Sequence, residues 1–218
     1  GLHEYMRLDG GMYHVVFSKS TQHADGAYGK FGNGGDLQLS HNGTNSFIKN
    51  TNGDLYIENS ADDKDIIFKS DDGSGGTETY FYLDGSLSSG NPYTTFPDNS
   101  HLTFGTGSDL SILHDGNNSY IWSNGTGDLY IRQNNDDKDI IFQSDDGSGG
   151  TETYFFLDGS VSSGNPITKF PDNSILALGT SGDFYHYHDG TNSYHANYTG
   201  DFYIDNNAND KDVILRSD

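Results

Sequence analysis

The chain has no cysteine among its 218 residues, which removes disulfides, thiol nucleophiles and cysteine-based zinc sites. Basic residues are scarce: 11 Lys and Arg stand against 32 Asp and Glu, for a formal net charge of −21. Phosphate binding needs a basic face, so no nucleic-acid partner is expected, and an anionic membrane surface is disfavoured for the same reason. Apolar residues reach only 32%, short of the roughly 45–50% of ordinary globular chains, so a large round core is not expected. No apolar run is long enough to cross a bilayer as a helix, so membrane insertion is not expected either. Sustained helical periodicity is also missing.

What the chain does have is order of another kind. It carries 15 Tyr, 13 Phe and 29 Gly, and its aromatic and aliphatic residues fall in short regular clusters, unlike those of disordered segments. The clusters repeat. The stretch from Gly35, GDLQLSHNGTNSFIKNTNGDLYIENSADDKDIIFKSDDGSGGTETYFYLDGS, returns from Ser108 as SDLSILHDGNNSYIWSNGTGDLYIRQNNDDKDIIFQSDDGSGGTETYFFLDGS. A third copy opens at Gly182. Lys64, Lys138 and Lys211 hold equivalent places, so the period is 73 to 74 residues. The phase divides the chain into 1–34 (the end of a preceding unit), 35–107, 108–181 and 182–218 (the first half of a third unit). EYMRLDGG at one end and RSD at the other both fall mid-unit, so a parent polypeptide continuing in both directions is expected.

Within each unit, short runs rich in β-branched and aromatic residues alternate with turn formers. DLYIE, KDIIFKS, TETYFYLDG and LTFG read as strands; HDGNNS, NGTGD, DDGSGG and FPDNS read as turns, with Asn-Gly and Asp-Gly supplying positive φ. The expected fold is all-β, a repetitive array of short strands and tight turns. Low apolar content and long repeats favour a linear array, each unit burying its faces on neighbours. Intertwining of several chains would supply the missing core and protect strand edges.

The blocks DLSILHDGNNSYI, GDLYIR and DDKDIIFQSDDG resemble the tail-fibre proteins of marine phages, cyanophages especially, from about residue 31 onward. The resemblance implies an elongated, intertwined homotrimeric fibre with β-helical or β-spiral segments. Such a fibre belongs to the virion and serves attachment to a host surface polysaccharide or outer-membrane receptor. It implies no catalytic residues. A bacterial cell-surface adhesin built from similar repeats is the first alternative, and a carbohydrate-binding or polysaccharide-degrading tailspike domain is the second.

Three local features could carry chemistry. His186 and His188 are spaced i, i+2, which puts both imidazoles on one face of a strand. Around a threefold axis they would offer six nitrogens to an octahedral transition metal, a use the fibre resemblance supports. The plainer reading is that His186 replaces the aliphatic Leu39 and Ile112 of the other units. The acidic turns Asp62-Asp63-Lys64-Asp65 and Asp136-Asp137-Lys138-Asp139 are oxygen-rich, as calcium requires, although neither follows a full calcium-loop pattern. Solvated turns capped by Asp are the alternative. Trp122 stands where the other units have Lys49 and Ala196, which singles it out as a surface or glycan contact. For catalysis, paired carboxylates abound, yet nearly every one recurs in the next unit. A catalytic site needs a singular arrangement, so no enzyme is expected.

Overall fold

A computed structural model of the chain describes residues 6–9, 11, 14–87, 90–160 and 164–217. Every helix or strand among them is a strand, so the fold is all-β. After a hairpin of β1 (Met6–Asp9) and β2 (His14–Phe17), antiparallel three-stranded sheets of two kinds alternate along the sequence.

The first kind has a central strand ending in histidine, and we call these the His sheets. They are β3 (Tyr28–Phe31), β4 (Leu37–His41) and β5 (Ser46–Asn50); β9 (Leu102–Phe104), β10 (Leu110–His114) and β11 (Ser119–Ser123); and β15 (Leu176–Leu178), β16 (Phe184–His188) and β17 (Ser193–Asn197). The second kind, the Phe sheets, comprises β6 (Ile66–Ser70), β7 (Glu78–Asp84) and β8 (Tyr93–Thr95), then β12 (Ile140–Asp145), β13 (Thr151–Asp158) and β14 (Ile167–Lys169). The chain divides into two compact units, Gly1–Gly125 with β1 to β11 and Thr126–Asp218 with β12 to β17.

Local chemistry sets each kind of sheet. In the His sheets a four-residue loop follows the histidine, and its second residue is Gly43, Gly116 or Gly190 at φ 93°, 95° and 91°. A side chain would be strained there. The loop closes the register His41↔Ser46, His114↔Ser119 and His188↔Ser193. In the Phe sheets a β-bulge falls after Phe68 and after Phe142, leaving Tyr80 and Tyr154 as the extra residues. Each freed tyrosine donates its hydroxyl to the carbonyl of Asp71 (3.1 Å) or Asp145 (3.0 Å). Across each Phe sheet runs a ring stack: Phe68–Phe81–Phe96 with centroids 4.5 and 5.7 Å apart, and Phe142–Phe155–Phe170 at the same spacings. Matched aromatics in successive units thus serve cross-strand packing.

Strands form where KDIIFKS, TETYFYLDG and LTFG predict them. DLYIE is a correction. Residues 54–60, 128–134 and 201–207 run without turn or bend but belong to no strand. Their β propensity is met by no hydrogen-bonding neighbour among the described residues, and propensity without a ladder does not make a strand.

The sheets hold little core. Leu113 is the only buried hydrophobic side chain among the described residues. The accessible surface is 18,316 Å² for 23.8 kDa, against about 9,900 Å² for a folded monomer of that mass. One face of each of the first two His sheets is both apolar and open: Leu39 pairs with Ile48 and Ile112 with Ile121, and Ile48 and Ile121 are 64% and 60% exposed.

Candidate functional site

The third His sheet carries the most singular side chains. β16 presents His186 and His188 on one face, both exposed, as their spacing requires. The structure gives them different neighbours. His188 Nδ1 lies 2.8 Å from Asp172 Oδ1 and 3.0 Å from the Gly190 amide N. A single ring nitrogen accepts the Gly190 N–H when bare and donates to Asp172 when it carries the proton, so the tautomer selects between the two contacts. His186 instead stacks on His195 of β17, directly opposite in the ladder, with centroids 4.3 Å apart and planes at 30°. Phe184 and Phe202 extend the stack beyond His195.

His195 is the residue that sequence reasoning missed. Its counterparts are Ile48 and Ile121, so both members of an aliphatic cross-strand pair are histidine in this sheet alone. Counting outward from the Asp189–Asn192 loop would have found it: if His188 faces Ser193, then His186 faces His195. Neither ring of this pair makes a hydrogen bond among the described residues, so both can offer a nitrogen to an incoming group.

The acidic turns are built for the backbone. Asp65 Oδ1 accepts the Gly85 amide at 3.0 Å and Asp139 Oδ1 the Gly159 amide at 2.9 Å. These contacts clasp each turn onto the end of β7 or β13. A Cβ at Gly85 or Gly159 would strike the carbonyl of Lys64 or Lys138, so the clasp also requires glycine there. Asp63 and Asp137 take φ values of 55° and 58° at the turn, a conformation Asp tolerates better than most residues. Asp62 and Asp136 are exposed beside them. No group of three or more His, Asp or Glu side chains able to hold a metal ion is gathered among the described residues. A cation at these turns would therefore draw ligands from water, from carbonyls or from another chain.

Trp122 lies on the other face of its sheet from Ile112 and Ile121. Its ring is 4.8 Å from Tyr120 and 6.2 Å from His101, between centroids, in tilted contacts. Opposite Trp122 and Tyr120 are Ser111 and Leu113, both buried, so the aromatic pair covers them. The first His sheet has Tyr28, Lys49 and Phe47 in the three ring positions, and the third has Ile175, Ala196 and Tyr194. Trp122 is 41% exposed. Tyr120 is steadied by its hydroxyl, which donates to Asp115 Oδ2 at 2.9 Å.

No helix among the described residues is long and apolar enough to cross a membrane. No family model matches the chain, no curated protein matches it, and no solved structure matches its fold.

Proposed function

We propose that this chain is a shaft segment of a viral tail fibre, a structural protein of the virion that supports host attachment by self-association into a trimer and performs no catalysis. The observation that carries the reading is the unfilled core. The chain exposes nearly twice the surface of a folded monomer of its mass, and the excess includes paired aliphatic residues such as Leu39 with Ile48 and Ile112 with Ile121. Burial at about 25 cal/mol per Å² makes such a face a strong drive to associate. The repeat supports the shaft role, because both kinds of sheet recur at the 73- to 74-residue period and length is what repetition supplies. Three copies is the number the tail-fibre resemblance implies.

The charge of −21 works against association, so salt or divalent cations should favour it by screening. Sedimentation and light scattering test the proposal together with electron micrographs. The expected species is elongated, has the mass of three chains, and gains population with ionic strength. A compact single chain at physiological salt would sink it.

Trp122, Tyr120 and His101 favour a second reading, glycan contact on the shaft. Loss of glycan-array binding in Trp122→Ala would support it, and an array blank with the native chain would remove it.

A further inference from the structure

Three stretches of this chain are left with bare backbone. Residues 54–58 (DLYIE), 128–132 (DLYIR) and 201–205 (DFYID) run without turn or bend, and none of their backbone groups makes a hydrogen bond among the described residues. Their side chains are largely exposed as well, although Phe202 stacks on Phe184. Tyr56, Tyr130 and Tyr203 are 81%, 81% and 73% exposed, and the flanking aliphatic or aromatic residues, Leu55 with Ile57 among them, are about half exposed or more. These residue types suit a paired, half-buried strand. Proteins normally blunt an open strand with proline, bulges or inward charges. Here the only charges sit at the ends of each stretch, and no proline interrupts it.

We propose that these stretches are docking strands, each of which completes a β-ladder with a second copy of this chain. The inference rests on the self-associating shaft proposed above and identifies its seam. Period argues for a copy as the occupant. The three strands recur at intervals of 74 and 73 residues, so a partner engaging all of them must present receiving edges at the same interval. This chain does so: the outer strands of its His sheets, β3, β9 and β15 on one side and β5, β11 and β17 on the other, recur three times at 73 or 74 residues, those of its Phe sheets, β6 with β12 and β8 with β14, recur at 74, and among the described residues all have open edges. Area argues the same way. The surface in excess of a folded monomer is about 8,400 Å² per chain, roughly ten times the 800 Å² per partner of a standard interface. A polysaccharide would stack on the tyrosine rings and leave the amides in water. A strand partner satisfies the N–H and C=O groups and covers apolar side chains as well.

Amide hydrogen exchange on the native assembly tests this directly. The expected result is slowed exchange, by about a hundredfold or more, at alternate amides at least within 55–57, 129–131 and 202–204. The paired variants Leu55→Pro/Tyr56→Pro, Leu129→Pro/Tyr130→Pro and Tyr203→Pro/Ile204→Pro should be combined in one chain, the last pair leaving the Phe202 ring on Phe184. They remove amides that no bond among the described residues uses, so the loop amides Asn118 and Asn192 should keep their native exchange while the assembly dissociates. A native chain with single-chain mass overturns both this inference and the shaft reading. An assembly that persists with fast-exchanging amides, or that survives the combined substitution, overturns the docking strands and leaves the shaft reading standing. Slowing that appears in single chains only when host polysaccharide is added also overturns the docking strands, and assigns the stretches to glycan.

Discussion

The loop between β4 and β5 and the loops between β10 and β11 and between β16 and β17 share a backbone and differ in chemistry. In the first, Asn42 Oδ1 accepts the amides of Thr44 (3.0 Å) and Asn45 (2.8 Å). In the second, Asp115 Oδ1 accepts those of Asn117 (2.8 Å) and Asn118 (2.7 Å); in the third, Asp189 Oδ1 accepts those of Thr191 (2.8 Å) and Asn192 (2.7 Å). The carboxylates have a second oxygen, and it is used: Tyr120 and Tyr194 donate to Asp115 Oδ2 (2.9 Å) and Asp189 Oδ2 (2.8 Å). Phe47 stands in the tyrosine position beside Asn42. Amide goes with phenylalanine, carboxylate with tyrosine. The turn therefore needs one acceptor oxygen, and the charge is an addition that brings its own donor.

The largest expected break in this comparison lies under the tyrosine. Leu113 pairs with Tyr120 and is buried, whereas Ser40 pairs with Phe47. Leu113→Ala should cost about 2–3 kcal/mol in a denaturant melt, as deletion of a packed side chain does. Ser40→Ala should stay within about 0.5 kcal/mol. Next comes the anchor itself. Asp115→Ala removes the acceptor of two amides and a phenol, and Asn42→Ala that of two amides only. Exchange at Asn117 and Asn118 should accelerate more in the former than exchange at Thr44 and Asn45 does in the latter.

A smaller effect sharpens the pairing rule. Asp115→Asn and Tyr120→Phe together recreate the first loop. The double variant should melt closer to the native chain than the two single losses would add up to, and strict additivity would refute the coupling.

The smallest effect is the dependence on pH. Asp115 is held below the ordinary carboxylate range first by the Asn118 amide, then by the Asn117 amide and the Tyr120 hydroxyl. For Asp189 the order is the Asn192 amide, the Tyr194 hydroxyl and the Thr191 amide. A depressed folded-state value means that the stabilisation is present above the unfolded value, about 3.9, and is lost as pH falls through the folded one. Tyr120 and Tyr194 are raised above 10 chiefly by donating to these carboxylates. Their contribution is full below the unfolded value and is lost as pH rises through the folded one. Amide shifts followed by NMR should therefore show the second and third loops loosening below about pH 4 and well above pH 10, with the first loop flat at both ends.

Much of the site was legible in the repeat. The Asx-Gly loops, the strand runs of the Phe sheets and the His186, His188 spacing follow from residue type and period-two alternation. His195 was not read, because its meaning depends on register, and register depends on loop length rather than on either strand alone. The acidic turns depend on tertiary contacts in a different way. Clustered Asp residues suggest a cation, but Asp65 and Asp139 accept Gly85 and Gly159 amides 20 residues along the chain, a contact that exists only once β6 and β7, or β12 and β13, have paired.

By itself, then, the sequence determined that the chain repeats, that it is all-β, and where its turns fall, because glycine and Asx conformations and side-chain alternation are local properties. Only the tertiary structure decided which residues meet and which strands go unpaired. DLYIE and its two repeats have the propensity for a strand yet lack a ladder among the described residues of their own chain. A strand is a relation between two backbones, and the second backbone cannot be read from the first.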